Sequence, residues 1–538
     1  MSGRRFGWVS ACRRPLALAL PGLLLASALA AQDTTGVKRR TVYDDLQMFS
    51  QVLNQIRVNH PDSVDTHQLF MAAIEAMVHA ADPHSYVVVA LKDTTKRAEQ
   101  LSQGKLLSVP IEFEFFGGAP VVVSVAPGSE AARLDILPGD ELLAVGSTTV
   151  TARNAEELQL ELAGARNSTV TLRFERARLD GSRATLDRVV KRERVEDASA
   201  VGASFMLDPR TGYVRITTFL ANRVADDVRA ALSKLEHQGM ERLVLDLRDN
   251  GGGVVREAAN VAGEFLPTGA VVYASEGRKA ELNDTVKVKR SFWKREKRYP
   301  MVVLVNSGTA SASELLAGAL QDHDRALIVG RPTFGKSLIT RGFPLADGSI
   351  IVLVVGRFRT PCGRLIQRAY RRVTAREYYR LAAADRDTVG LPSCHTDGGR
   401  IVYGGGGVFP DVTLPTPAPR PLWLARVFEQ DLTLQWVGGY VSERRAALGT
   451  VESFEADARL PADAAAAFRA FAVQQGVEVP DTPEANAQVE RMLLRQVAAV
   501  AFGDEVYYRV SARLDPQVAA AASTFDKAEG ILAASKQP

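Results

Sequence analysis

Between Val42 and Val78, apolar residues recur at three- and four-residue spacing. Leu46, Phe49, Leu53 and Ile56 form one stripe, and Phe70, Ile74, Met77 and Val78 form a second, which predicts two short amphipathic helices. The run "ADPHS" ends the second. After Gly104 the texture changes to "VPIEFEFFGGAPVVVSVAPGSEAARLDILPGDELLAVGSTTV", β-type runs punctuated by Gly and Pro turns, followed by a helix near Ala155 to Ala163 and the strand "STVTLRFERA". That pattern predicts a small β-sandwich-like module. From Gly212 strand and helix alternate: "GYVRITTF", a helix from Ala225 to His237, "RLVLDL", a glycine run, a helix from Val254, then "PMVVLVN". Such alternation argues for an α/β core with largely parallel strands. Beyond Pro415 the chain is alanine-rich, with Thr482 and Pro483 capping a helix that carries Val489, Met492, Leu493, Val497 and Val500 on one face. The expected division is a helical segment over 32–104, the β-module over 105–195, the α/β core over 196–415 and a helical C-terminal domain over 416–538.

Composition narrows the class. At 46% hydrophobic and 24% charged residues the chain is globular rather than disordered, and 538 residues are too many for one ordinary domain. Its formal charge of +4 reflects Arg4, Arg5, Arg13 and Arg14, since residues 1–31 hold no acid. These arginines, the apolar run from Pro15 and the small-residue site Ala28-Leu29-Ala30 read as a cleaved secretory signal peptide. The expectation is an exported, periplasmic protein, by the general route or, given Arg4-Arg5-Phe6, the twin-arginine one. Cys12 would leave with the signal, and Cys362 and Cys394 then form a candidate disulfide in an oxidising compartment.

The candidate chemistry lies in "NSGTASASELLAGALQD", from Asn306, where Ser311 falls at a strand-to-helix junction. Ser311 and Glu314 fit a capping box, which would only start a helix. The same amides can stabilise a developing oxyanion. The nearest of the seven histidines, His323, is twelve residues further on, roughly 18 Å along a helix, and cannot act as base for Ser311. Lys336 in "RPTFGKSLIT" is the alternative, because desolvation of a lysine lowers its pKa from about 10.4 toward the working pH. The third part is "LVLDLRDNGGGVVREA", whose glycines expose backbone amides suited to an oxyanion hole.

Taken together, "TASASELLAGALQD", "TFGKS", "LDLRDNGGG" and "ADPHS" resemble the C-terminal processing peptidases, or tail-specific proteases, and the β-module resembles their PDZ domain. The resemblance extends over most of residues 42 to 415, including "TPCGRLIQR" and "VYGGGGVFPDV". It implies an α/β core of the crotonase- and Clp-like ββα type with an inserted or preceding PDZ module. It implies Ser311 as nucleophile and Lys336, twenty-five residues later, as general base. It also implies an oxyanion hole from the amides of Ala312 and of Gly251 or Gly252. The family often has a glutamine four residues after the lysine to orient it. Thr340 stands there in this chain.

Where the family's PDZ domains have a glycine-rich loop for a terminal carboxylate, this chain reads "LLSVPIEFEF". Pro110 has no N–H to donate, which leaves Ser108, Val109 and Ile111 as candidate donors. The expected partners are protein or peptide substrates, with room for a regulatory or adaptor protein, and peripheral membrane contact is left open. "KVKRSFWKREKRYP" reads as a solvated loop rather than a nucleic-acid site. No His/Cys cluster has metal-ligand spacing, and no cofactor is expected. The rival readings are a catalytically inactive PDZ scaffold and a crotonase-like acyl-thioester enzyme.

Overall fold

The computed structural model describes residues 41–534, except 89–96, 98–99, 102, 117, 127–128, 137–139, 178–182, 194–198, 222, 291–294, 346–348, 371–372, 374, 385, 417–419, 431, 458 and 462. Residues 1–31, expected to be a signal peptide, lie outside the described residues. Helix α1 (Val42–Asn59) begins in a capping box of Thr41 and Asp44 and buries none of its residues. Helix α2 (Thr66–Ala81) follows, and then a short strand, β1 (Tyr86–Val88).

The β-module is one antiparallel sheet of β2 (Ile111–Phe116), β3 (Ala119–Val125), β4 (Glu141–Val145), β6 (Thr169–Ala177) and β7 (Arg183–Lys191), with β5 (Thr148–Thr149) on β4. Its strand order places β2 at an edge. Helix α3 (Ala155–Leu162) starts at Asn154, whose side chain accepts from the Glu157 N–H. Leu158 and Leu162 of α3 pack with Val122, Leu142, Leu172, Phe174 and Leu186 of the strands. Alternation along β7, with every second residue buried, is the half-buried pattern that fixes the strand's register.

The α/β core has two sheets. In the first, β8 (Val201–Met206) and β9 (Thr211–Ile216) pair antiparallel. β10 (Arg242–Asp246), β13 (Met301–Val305), β14 (Leu327–Gly330) and β19 (Val412–Thr413) continue parallel to β9 in that spatial order. Helices α4 (Val224–His237), α5 (Val255–Phe265) and α6 (Ala312–Asp322) supply Val228, Leu232, Phe265, Leu315 and Leu316 to the core formed with Leu243, Leu245 and Val303. The alternation seen from Gly212 onward is this sheet. The second sheet was not anticipated: β11 (Val271–Gly277), β12 (Asp284–Lys287), β15 (Leu338–Pro344) and β16 (Ile350–Arg359) pair antiparallel. β1 joins β16 from the far side of the β-module in the chain, so that module is inserted within the α/β fold.

The C-terminal region is helical, as its pattern predicts, but it divides. Helices between Leu422 and Arg513 build their own core around Val437, Phe468, Val489, Leu493 and Val497. The last two, Pro516–Ala522 and Phe525–Ala534, place Val518, Ala521, Phe525 and Ala528 against Val244, Val302 and Leu304, on the other face of the central sheet. The α/β core therefore draws on residues well beyond 415. Among the described residues no helix is long and apolar enough to cross a membrane.

Candidate active site

The Ser311 turn is built from the ends of two neighbouring strands. β13 leads into Asn306, whose Oδ1 accepts the N–H groups of Asp249 and Gly308, while Thr309 Oγ1 donates to the Leu247 carbonyl at 2.8 Å. Ala310 N–H donates to the Asn250 carbonyl at 3.0 Å. The loop after β10 and the loop after β13 are thereby one unit. Ser311 follows at φ 55°, ψ −118°, a left-handed backbone conformation costing a side-chain-bearing residue about 1–3 kcal/mol. It is tolerated because both flanks are fixed, and α6 begins at the next residue.

Gly252 packs directly beneath the turn. Its φ is +100°, and a Cβ there would stand 2.7 Å from the Ala310 oxygen and 2.9 Å from the Ala312 nitrogen, so only glycine fits. Its own N–H donates to Asn250 Oδ1 at 2.9 Å. This corrects the expectation for Gly252 as an oxyanion donor: its amide is committed within the loop. Gly251 and Ala312 remain as the pair of amides for that task.

Glu314 does more than cap α6. Its buried carboxylate accepts the Ser311 N–H at 2.9 Å, the Gly335 N–H at 2.7 Å and the Lys336 N–H at 2.8 Å, and it also receives the Thr333 hydroxyl. One side chain thus ties the serine turn to the lysine turn through both backbones. Burial pushes this carboxyl up from its ordinary value, and the four donated hydrogen bonds offset that only in part.

Lys336 differs from expectation. Its side chain is 24% exposed, and Nζ lies 3.0 Å from Glu114 Oε2 on β2 of the PDZ domain. Burial alone would lower its pKa, but the charges of Glu114 and Glu112 outweigh burial and raise it above the ordinary value. No hydrogen bond joins Lys336 to Ser311. Thr340 is exposed on β15, just past a bulge after Ile339, and makes no hydrogen bond to Lys336. The expected orienting role is absent from this arrangement.

Sequence reasoning also passed over a buried ionic group at the end of β10. Asp246 is bonded by Arg248 and by the Tyr213 hydroxyl, and Arg215 lies 3.4 Å away. Burial would raise the Asp246 carboxyl, but the charges of Arg248 and Arg215 hold it well below the usual carboxylate range. Arg248 reaches on to Asp515 and Gln517 of the C-terminal region. The charged letters of "LDLRDNGGG" were a signal for it.

Elsewhere, Cys362 and Cys394 are joined, with Cα atoms 6.1 Å apart. His323 bonds Asp397 and the Val271 carbonyl. In the PDZ domain, Val109 and Ile111 bury their side chains in the core and Ser108 is half-buried, so any role in binding falls to backbone groups. Among the described residues no cluster of His, Cys, Asp and Glu is placed to hold a metal ion.

The profile of peptidase family S41 matches residues 210–374, and that of a PDZ domain matches residues 121–176. The chain is 29% identical over 352 residues to a carboxy-terminal-processing protease of Bartonella bacilliformis, covering 64% of this chain and 78% of that one. It is 37% identical over 246 residues to the chloroplastic carboxyl-terminal-processing peptidase 2 of Arabidopsis thaliana, covering 45% of this chain and 46% of that one. It therefore spans about half the length of the plant relative. A solved photosystem II D1 C-terminal processing protease aligns with a TM-score of 0.47 at 26% identity, over 68% of this chain and 88% of the other. The two profile matches and the curated relatives define a serine-type peptidase with a PDZ domain. Within the chain, residues 210–374 are the part that matches peptidase family S41.

Proposed function

We propose that this protein is an exported endopeptidase that cleaves protein or peptide substrates, recognised near their C-termini, by a Ser-Lys mechanism. The Ser311 hydroxyl attacks the scissile carbonyl while Lys336, once neutral, takes its proton. The tetrahedral oxyanion is received by the amides of Ala312 and Gly251. Lys336 then returns the proton to the leaving amine, and water resolves the acyl-enzyme by the reverse sequence. The observation that carries this reading is the backbone tie through Glu314, which holds Ser311 and Lys336 on adjacent turns. The edge position of β2, in contact with α3, supports recognition of an extended chain end by strand addition.

The test is a digest of denatured and native proteins with cleavage sites mapped, using wild type, Ser311→Ala and Lys336→Ala. Cleavage by wild type alone is the expected result. Substantial cleavage by the lysine variant would remove Lys336 as the base.

A further inference from the structure

The side chain expected to deprotonate Ser311 is held here by a carboxylate from a different domain. Glu114 Oε2 accepts from Lys336 Nζ at 3.0 Å and from the hydroxyl of Tyr379, on helix α7 (Ala375–Ala383), at 3.3 Å. Its other oxygen lies 3.0 Å from Nδ1 of His84, in the turn after α2. One PDZ carboxylate is therefore gripped by three separate elements of the peptidase. An apolar contact accompanies the polar one: Val121 of β3 is buried in a cluster with Ala310, Phe334, Tyr370, Tyr378 and Tyr379. Ala310 is the residue immediately before Ser311, so the PDZ sheet and the serine turn contribute to one apolar cluster.

An ammonium ion facing a carboxylate at this distance has no lone pair for a serine proton. Its charge is also favoured by every anion near it. The titratable groups around the pair are His84, Glu112 on the same strand, and Tyr378 and Tyr379 of α7. Around Lys336 the carboxylates of Glu114 and Glu112 both favour the charged form.

We propose that Glu114 is an autoinhibitory latch: by pairing with Lys336 it keeps the amine charged and away from Ser311, and the peptidase becomes competent when Glu114 withdraws. This rests on the Ser311 and Lys336 assignment above. Because β2 is an edge strand, whatever pairs with that edge acts on the strand that carries the latch.

Glu114→Gln keeps the size of the side chain and removes its charge. In the full chain it should raise kcat/KM on an unstructured peptide at neutral pH by about tenfold, because more of the lysine is free to act as base. The acidic limb of the pH–rate profile should move down by about one unit. A second readout needs no hydrolysis. With 13Cε-labelled lysine in a Ser311→Ala chain, the Lys336 resonance, identified by its loss on Lys336→Ala, should titrate at lower pH when Glu114 is Gln. An unchanged titration overturns the latch whether or not peptide is cleaved, and an unchanged rate and pH profile overturn it while leaving the peptidase reading intact. A shifted titration with no cleavage by either form overturns the Ser-Lys reading and upholds Glu114 as the group that sets the charge of the lysine. Should Glu114→Gln fail to fold, Glu114→Asp, which draws the carboxylate back by one methylene, should move the titration less and in the same direction.

Discussion

Ser311 sits at a positive φ on a turn whose neighbours are bonded to the next loop, and that strain is local to one residue. Ser311→Ala should therefore abolish hydrolysis while leaving circular dichroism unchanged, since it removes Oγ and keeps the backbone N–H bond to Glu314 that holds the turn. Thr340 gives the contrasting case. It is exposed and unbonded to Lys336, so Thr340→Val should keep turnover within about threefold of wild type, less than the ~1 kcal/mol of a supporting hydrogen bond. A hundredfold loss would restore its orienting role. At this scale the sequence was legible where chemistry is linear: Ser311 and Lys336 stand out at the junctions of strand, turn and helix. Glu114 was not, because the partner it meets is 222 residues away and "IEFEF" reads as an ordinary alternating strand.

Elements meet at buried carboxylates. Glu314 accepts three backbone N–H groups from two turns. Glu314→Gln would turn an amide NH2 toward some of those donors, so kcat/KM should fall by about two orders of magnitude. A pre-steady-state assay should place the loss in acylation; wild-type rates would show that the turns hold their places without it. Asp246 makes the other junction. Its folded pKa is depressed, so its stabilising contribution is complete above its unfolded value near ~3.9 and is lost as pH falls toward the folded value. Urea unfolding between about pH 5 and about pH 2.5 should show wild type losing stability along that slope, and Asp246→Asn, though less stable at the outset, losing less of it because it has no carboxyl to titrate at that position. Equal slopes would remove Asp246 as a source of acid sensitivity. The parallel sheet was legible because its strands are continuous apolar runs between amphipathic helices. The second sheet was not, since β15 and β16 are partly exposed and β1 reaches β16 only after the whole PDZ domain has intervened.

At the scale of the domains, the PDZ sheet and the peptidase core meet at Glu114 and Lys336, and under the proposed function substrate choice would depend on what the PDZ edge reads. The region ahead of β2 places Pro110 where a donor is usual, while its carbonyl accepts from Ala126 and Leu107 is paired with Gly164. If the remaining amides still capture a terminal carboxylate, a substrate with a free apolar C-terminus should be cleaved faster than the same chain amidated. Amidation removes the charge those amides would hold and leaves the scissile bond untouched. Because Ser311 belongs to a different domain, the difference should appear in kcat/KM at low substrate and narrow as substrate saturates. Glu114→Gln sharpens the comparison. If end recognition acts mainly by freeing Lys336, the variant should cleave free and amidated chains at closer rates than wild type does. If it acts mainly by tethering, the ratio should stay the same while both rates rise. Equal rates for free and amidated substrates in wild type would mean that this PDZ edge does not read chain ends, and that cleavage sites are chosen at the serine turn alone.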